Sequence, residues 1–250
     1  MSSGLFVWHD HMSKDIQAPL AFYEALLGWT HKDMPTPMGP YPIFHDGQQE
    51  HGGFVAMEDA GHPPHWMPYV TVDDLDKAVQ QVPELGGGVD FGPMPIPNVG
   101  RFAIIHDNQG AHITLIQLNE VAKPPAQSPQ PGQFCWYTLN TPDVAASIAF
   151  WSALVGWTVK DVTMGGSTQA ICHLGEHQIA GMVPLAEGDP RPPHWALSIC
   201  VANLDDTLAR SAALGGQVLM PPTPLGSFGK MAAIADPAGA GVGLFEFLGG

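Results

Sequence analysis

The stretch Gly4–Trp29, GLFVWHDHMSKDIQAPLAFYEALLGW, returns without a gap at Gly132–Trp157 as GQFCWYTLNTPDVAASIAFWSALVGW. Further along, PPHWMPYVTVDDLD from Pro63 answers PPHWALSICVANLDD from Pro192, and GRFAIIHDNQGA from Gly100 answers GKMAAIADPAGA from Gly229. Self-similarity at a fixed offset marks a tandem architecture. Between the copies, NEVAKPPAQSPQPG from Asn119 is rich in Pro, Gln and Ser and reads as a linker. The expected division is therefore residues 1–118 and 132–250 with a linker at 119–131. Positions that both copies keep are mostly architecture. Positions that differ are the better candidates for chemistry.

Each copy follows one grammar. A short apolar strand (Leu5 to Trp8) leads to a helix whose apolar residues Ile16, Leu20, Tyr23 and Leu27 share one face. Asp15 can accept from the free N–H groups of that helix, Pro19 suits its first turn, and Gly28 can end it in a left-handed cap. Asp143 and Gly156 repeat the arrangement. Turn-rich segments with short strands follow, at Tyr41–His45 and Gly53–Met57. PPHW then opens a strand at Met67–Val72, a second helix starts after Asp74 and closes at Leu85-Gly86-Gly87, and strands at Phe102–His106 and His112–Gln117 end the copy. The expected fold class is α+β: four βαβββ modules, two per copy. Pro95, Pro97 and Gly100, with Pro222, Pro224 and Gly229 in the second copy, predict flexible loops able to cover a cavity.

The chain has 250 residues, enough for ample cores. Nine Lys and Arg stand against 24 Asp and Glu, a net charge of −15. Such a surface repels phosphate backbones and anionic lipid, which excludes nucleic acid and membrane as partners. No apolar run approaches the ~20 residues of a membrane span, and MSSGLFVWHD lacks the marks of a secretory signal. Cys135, Cys172 and Cys200 suggest neither a disulfide framework nor a thiolate zinc site. A cytosolic monomer or homodimer is expected. There is no GxGxxG, P-loop, GxSxG or HExxH.

The ordered set D-x6-F-Y/W-x4-GW, V-x-D-L-D, L-G-G and G-R-F-A-x3-D-x-x-G-A, answered in the second copy with VANLD and GKMAAIADPAGA at two of its places, resembles the vicinal oxygen chelate superfamily. That group includes glyoxalase I, type I extradiol dioxygenases and bleomycin- and fosfomycin-resistance proteins. The resemblance implies paired modules with mixed sheets curled around a cavity in each copy. It also implies lyase, isomerase or dioxygenase chemistry on a small organic molecule. Metal-using members carry ligands on the first and last strands of their modules. By register those positions fall on Trp8, Phe54, Met67 and Thr114, and on Trp136, Met182, Ala196 and Gly243. None is His, Asp, Glu or Cys, so no cofactor is expected. A register shift of one or two residues is the exception, since it would offer His9, His11 and His65 to a divalent metal.

WHDH, Trp8 to His11, stands where the second copy has Trp136-Tyr137-Thr138-Leu139. In a strand, Trp8 and Asp10 share one face and His9 and His11 the other. That makes Asp10 the candidate acid–base group, with Tyr69 beside it and His65 at the cavity rim. His9 and His11 are expected at an interface or on the surface. Trp8, Met67, Thr114 and Phe54, with Trp136 and His194 in the second copy, are the candidate lining. Arg101 and Lys230, duplicated cations in a chain that has few, are candidates to hold an anionic group; pairing with an acidic neighbour is the competing expectation. The competing function is a non-catalytic protein that sequesters a drug or metabolite by stacking on Trp8 and Trp136.

Overall fold

A computed structural model describes residues 3–36, 39–57, 61–122, 129–164 and 167–248; the centre of the expected linker, 123–128, lies outside them. The first copy is built from β1 (Phe6–Ser13), α1 (Gln17–Leu27), β2 (Thr30–Thr36), β3 (Gly39–His45), β4 (Glu50–Ala56), β5 (His65–Thr71), α2 (Leu75–Glu84), β6 (Gly88–Ile96), β7 (Gly100–His106) and β8 (His112–Leu118). The second repeats it as β9 (Phe134–Thr141), α3 (Val144–Val155), β10 (Thr158–Met164), β11 (Ser167–Leu174), β12 (His177–Pro184), β13 (His194–Cys200), α4 (Leu204–Ala213), β14 (Gln217–Pro224), β15 (Gly229–Ala235) and β16 (Gly241–Phe247). The eight strands of each copy form one mixed sheet, ordered β2-β3-β4-β1-β5-β8-β7-β6 and β10-β11-β12-β9-β13-β16-β15-β14. This is the expected α+β fold of four βαβββ modules. Among the described residues no helix is long and apolar enough to cross a membrane.

Local chemistry accounts for the helix boundaries. Asp15 accepts from the Gln17 N–H at 2.9 Å, and Asp143 accepts from the Ala146 N–H at 3.0 Å. Gly28 and Gly156 close the same helices at φ 75° and 77°, conformations that favour glycine. Helices α2 and α4 are capped from two directions. Asp74 and Asn203 accept from Lys77 and Asp206 N–H groups. The closing strands supply Gln117 to the Leu75 N–H and Glu246 to the Leu204 N–H. Glu246 is therefore a helix cap.

The proline-rich segments are mostly strand, with Pro97 in the short turn between β6 and β7. Pro93 and Pro95 lie in β6, and Pro221, Pro222 and Pro224 in β14, each strand paired antiparallel to its neighbour with register breaks. Both strands stand at a sheet edge, where a missing N–H costs no ladder bond, and bulges absorb the rest.

The compact units of the chain cut across the repeat. One contains Met1–Val7, Pro68–Ala126 and Trp136–Ala196; the other contains Trp8–Met67, Gln127–Cys135 and Leu197–Gly250. Each therefore takes one module from each copy. In the second unit, Tyr23, Trp29, Phe44, Phe54, Trp66 and Phe134 form one aromatic core. In the first, Phe150, Trp151, Trp157 and Trp195 do the same. The indole of Trp29 donates to the Gly132 carbonyl and that of Trp157 to the Gly4 carbonyl, both at 2.9 Å. The helix-closing tryptophan of each copy thus fastens the entry strand of the other.

Candidate functional site

On β1 the alternation divides WHDH as expected. Trp8 and Asp10 share a face: the Trp8 indole N–H lies 3.2 Å from Asp10 Oδ1 and 2.8 Å from the Tyr41 hydroxyl. Tyr41 on β3 donates to Asp10 Oδ1 at 2.6 Å. Asp10 is 5% exposed, so this is a buried carboxylate held by a phenol and an indole. Tyr41 was absent from the sequence-based candidates. Its signal was the glycine facing it, because a Cβ at Gly53 would fall 2.2 Å from the Tyr41 ring. Gly53 pairs with Asp10 across the parallel β1–β4 ladder, so the bare glycine lets the ring lie beside the carboxylate. Gly53→Ala is expected to cost about 1–3 kcal/mol in a denaturant titration, because the ring or the strand must move.

The other face settles the expectation for the histidines. His9 and His11 are buried, and of the two expected places they take an interface, each against residues of the second copy. His9 stacks on Phe134 at 3.8 Å and donates through Nδ1 to the His51 carbonyl at 2.8 Å. His11 Nε2 lies 2.7 Å from Asp236 Oδ2, beneath Trp66 and Tyr23. Each imidazole has its own partner, and they do not form a His-x-His chelate. Burial holds His9 down to about pKa 3, so it is neutral. The Tyr23 hydroxyl is pushed well above its usual range, by burial first and by Asp236 second.

Phe54 also belongs to this core and not to the cavity lining. It pairs with His11 across β1–β4 and is fully buried among rings, while Gly53 takes the Asp10 face. The observed register differs by one residue from the one the sequence suggests, and in a strand one residue exchanges the faces. Met182 is likewise paired with Leu139 and buried.

PPHW is an entry to a strand. His65 Nδ1 reaches the Pro63 carbonyl at 2.9 Å and His194 Nδ1 the Pro192 carbonyl at 2.8 Å. Each ring folds back over its own diproline, and the tryptophan that follows is buried. The duplicated cations do not wait for an anionic ligand. Arg101 makes a two-pronged bridge to Asp76 with both contacts at 2.8 Å, and Lys230 meets Asp205 at 2.7 Å and Glu246 at 3.3 Å. The strand register aims both at the acidic first turn of the neighbouring helix.

The candidates Tyr69 and Thr114 lie on β5 and β8. Tyr69 pairs with Thr114, and its ring centroid is 6.5 Å from that of Phe102, which is 5.9 Å from that of Phe91. Thr114 is 1% exposed, and its hydroxyl has no hydrogen-bond partner among the described residues. Met67, two residues before Tyr69, is buried. In the second copy, the Trp136 indole covers Gly181, and a Cβ at Gly243 would fall 2.4 Å from the Ser198 hydroxyl. Thr138 replaces Asp10 there, so the carboxylate site exists once.

The comparisons with known proteins give the family and the fold. The family model described as Glyoxalase/Bleomycin resistance protein/Dioxygenase superfamily matches residues 10–115 and 133–244, and the chain belongs to that family. CFP32 of Mycobacterium tuberculosis, named as a glyoxylase, is 32% identical over 240 residues, covering 93% of this chain and 91% of CFP32. The anthracycline biosynthesis protein DnrV of Streptomyces peucetius is 31% identical over 260 residues, covering 97% and 93%. Among solved structures, the Mn(II)-bound glyoxalase of Novosphingobium aromaticivorans superposes with a TM-score of 0.68 at 14% identity, covering 98% of this chain and 82% of that one. The 2,3-dioxygenase LapB of Pseudomonas sp. KL28 gives 0.67 at 15%, covering 98% and 93%. At such identities the structures speak for the fold alone.

Proposed function

We propose that the chain binds a small, neutral or cationic aromatic molecule and acts on it as an enzyme of the lyase, isomerase or dioxygenase type, with Asp10 as the proton-transfer group. The observation that carries this reading is the Trp8–Asp10–Tyr41 cluster: one buried carboxylate, short-bonded to a phenol, on an aromatic face and present in only one copy. A carboxylate so placed can take a proton from a bound carbon or hydroxyl acid and return it elsewhere. Tyr41 orients the carboxylate, and Trp8 offers a ring face for stacking. Two relatives named for anthracycline biosynthesis favour a fused-ring aromatic guest, and the net charge of −15 disfavours an anionic one. A cytosolic location belongs to the same reading, supported by three free thiols.

The metal-activated route of related enzymes is not part of it. At the positions where the family carries ligands, Trp8 has a ring nitrogen that donates and cannot ligate. On the same face β4 carries Gly53, which has no side chain, and Met67 and Thr114 offer a thioether and a hydroxyl. That donor set does not suit a hard or borderline divalent ion.

The test is a panel of fused-ring aromatic hydroxyketones and quinones, followed by Trp fluorescence for binding and mass spectrometry for conversion. Asp10→Asn is expected to keep binding and to lose about 10²- to 10⁴-fold in turnover. Binding with no conversion by the native protein would favour the sequestering alternative. Conversion undiminished in Asp10→Asn would remove the assignment.

A further inference from the structure

A polar cluster on the first copy has no counterpart on the second. Asp90 on β6, His106 at the end of β7 and His112 at the start of β8 bring one carboxylate and two imidazoles together, with their ligating atoms within 4.8 Å of one another. His106 Nδ1 lies 2.9 and 3.1 Å from the two Asp90 oxygens, and His112 Nε2 lies 3.5 Å from Asp90 Oδ2. The backbone explains the convergence. His106 and His112 are direct partners across the antiparallel β7–β8 ladder and so share a face. The β6–β7 register breaks between Val89 and Phe91, and a break of this kind re-aims the residue it contains, here Asp90. Gly88 makes the space, since a Cβ there would fall 2.3 Å from His106 Cε1.

The second copy serves as an internal control. In place of Gly88, Asp90, His106 and His112 it has Gln217, Leu219, Ala235 and Gly241. Leu219 Cδ1 comes within 3.5 Å of where a Gly241 Cβ would stand, so the same backbone positions converge there as an apolar contact. The fold brings these positions together without needing polar groups. Only the first copy equips them with nitrogen and oxygen donors.

We propose that Asp90, His106 and His112 form a binding site for a divalent transition cation of the Zn²⁺ type. Two imidazoles and one carboxylate are a donor set for such ions, whereas Mg²⁺ and Ca²⁺ prefer all-oxygen shells. The side chains are 35%, 37% and 51% exposed in the order Asp90, His106, His112, so water completes the coordination and the ion enters from solvent. By strand alternation His112 shares a face with Thr114, and His106 with Ile104 and Phe102. The cation thus stands on the sheet face that carries Thr114, Tyr69 and Phe102.

Metal-free full-length protein is titrated with ZnCl₂ by calorimetry and by competition with a chromophoric chelator, beside MgCl₂. The variants are His106→Ala, His112→Gly and a triple Asp90→Leu/His106→Ala/His112→Gly that copies the second repeat. One equivalent of Zn²⁺ with a Kd on the order of 1 μM is expected. Each single variant should weaken binding by at least about tenfold. The triple should abolish it, with its metal-free circular dichroism unchanged. Because nothing in this readout depends on turnover, it stands apart from the role given to Asp10. Absence of saturable binding up to about 1 mM, or a full equivalent retained by the folded triple, would overturn the assignment.

Discussion

Asp236→Ala is expected to remove about 3–5 kcal/mol of stability, lowering the melting temperature by roughly 6–20 °C for a chain of this size. The carboxylate works on two fronts. Its Oδ1 accepts from the Ala238, Gly239 and Ala240 N–H groups at 2.9, 3.0 and 3.1 Å and so holds the turn before β16. Its Oδ2 accepts from His11 Nε2 at 2.7 Å and from the Tyr23 hydroxyl at 3.1 Å, and that hydroxyl in turn accepts from the Trp66 indole at 3.1 Å. The His11–Asp236 pair is fully buried, so truncation strands donors that water cannot reach. The other compact unit supplies the contrast. Asp107 holds the equivalent turn, with Leu139 in the place of His11 and the Trp151 indole in the place of the Tyr23 hydroxyl. His11→Leu is therefore expected to stay within about 1 kcal/mol of the native protein, since it also removes a buried Nδ1 that has no partner among the described residues. A denaturant titration decides. Equal stabilities for Asp236→Ala and the native chain would mean that the carboxylate is not the tie described.

Stability should also fall steeply in mild acid, and His9 should be responsible for much of the slope. Its folded pKa of about 3 lies below the ordinary 6.5 because burial against Phe134 disfavours the cation. The unfolded chain accepts a proton that the native protein refuses. The contribution is thus intact above pH 6.5 and declines as pH drops toward 3, by about 1.4 kcal/mol per unit, or about 3 kcal/mol by pH 4. His194, which burial also holds low, adds in the same sense. Asp46, at about 2, enters only below pH 4: burial alone would raise it, but the Gln49 and Gln48 N–H groups, Gln133 and His51 outweigh that. Asp107, raised by burial, opposes the trend above that, as pH falls through its raised folded value to the ordinary 3.8. His9→Tyr copies Tyr137, which stacks on Phe6 as His9 stacks on Phe134. That variant should flatten the curve between pH 6.5 and 4. An unchanged slope would show that His9 is accessible to protons in the folded state.

Read from the chain alone, the repeat delivered the module count, and nearest-neighbour rules delivered the helix ends at Asp15, Asp143, Gly28 and Gly156. Period-two alternation separated Trp8 and Asp10 from His9 and His11. All of these depend on residues a few positions apart, where backbone geometry leaves little choice. Tertiary structure decided what each face meets. His11 finds Asp236, Trp29 finds Gly132 and Asp46 finds Gln133, all across long separations in sequence. Arg101 is claimed by Asp76 because a strand happens to start beside a helix end. Phe54 changed faces with one step of register, and Asp90 reached His106 through a break in the ladder. Spacing in a sequence carries the period of a strand. Which partner strand it joins, and in which register, is set by the free energy of the assembled core, to which residues from both copies contribute.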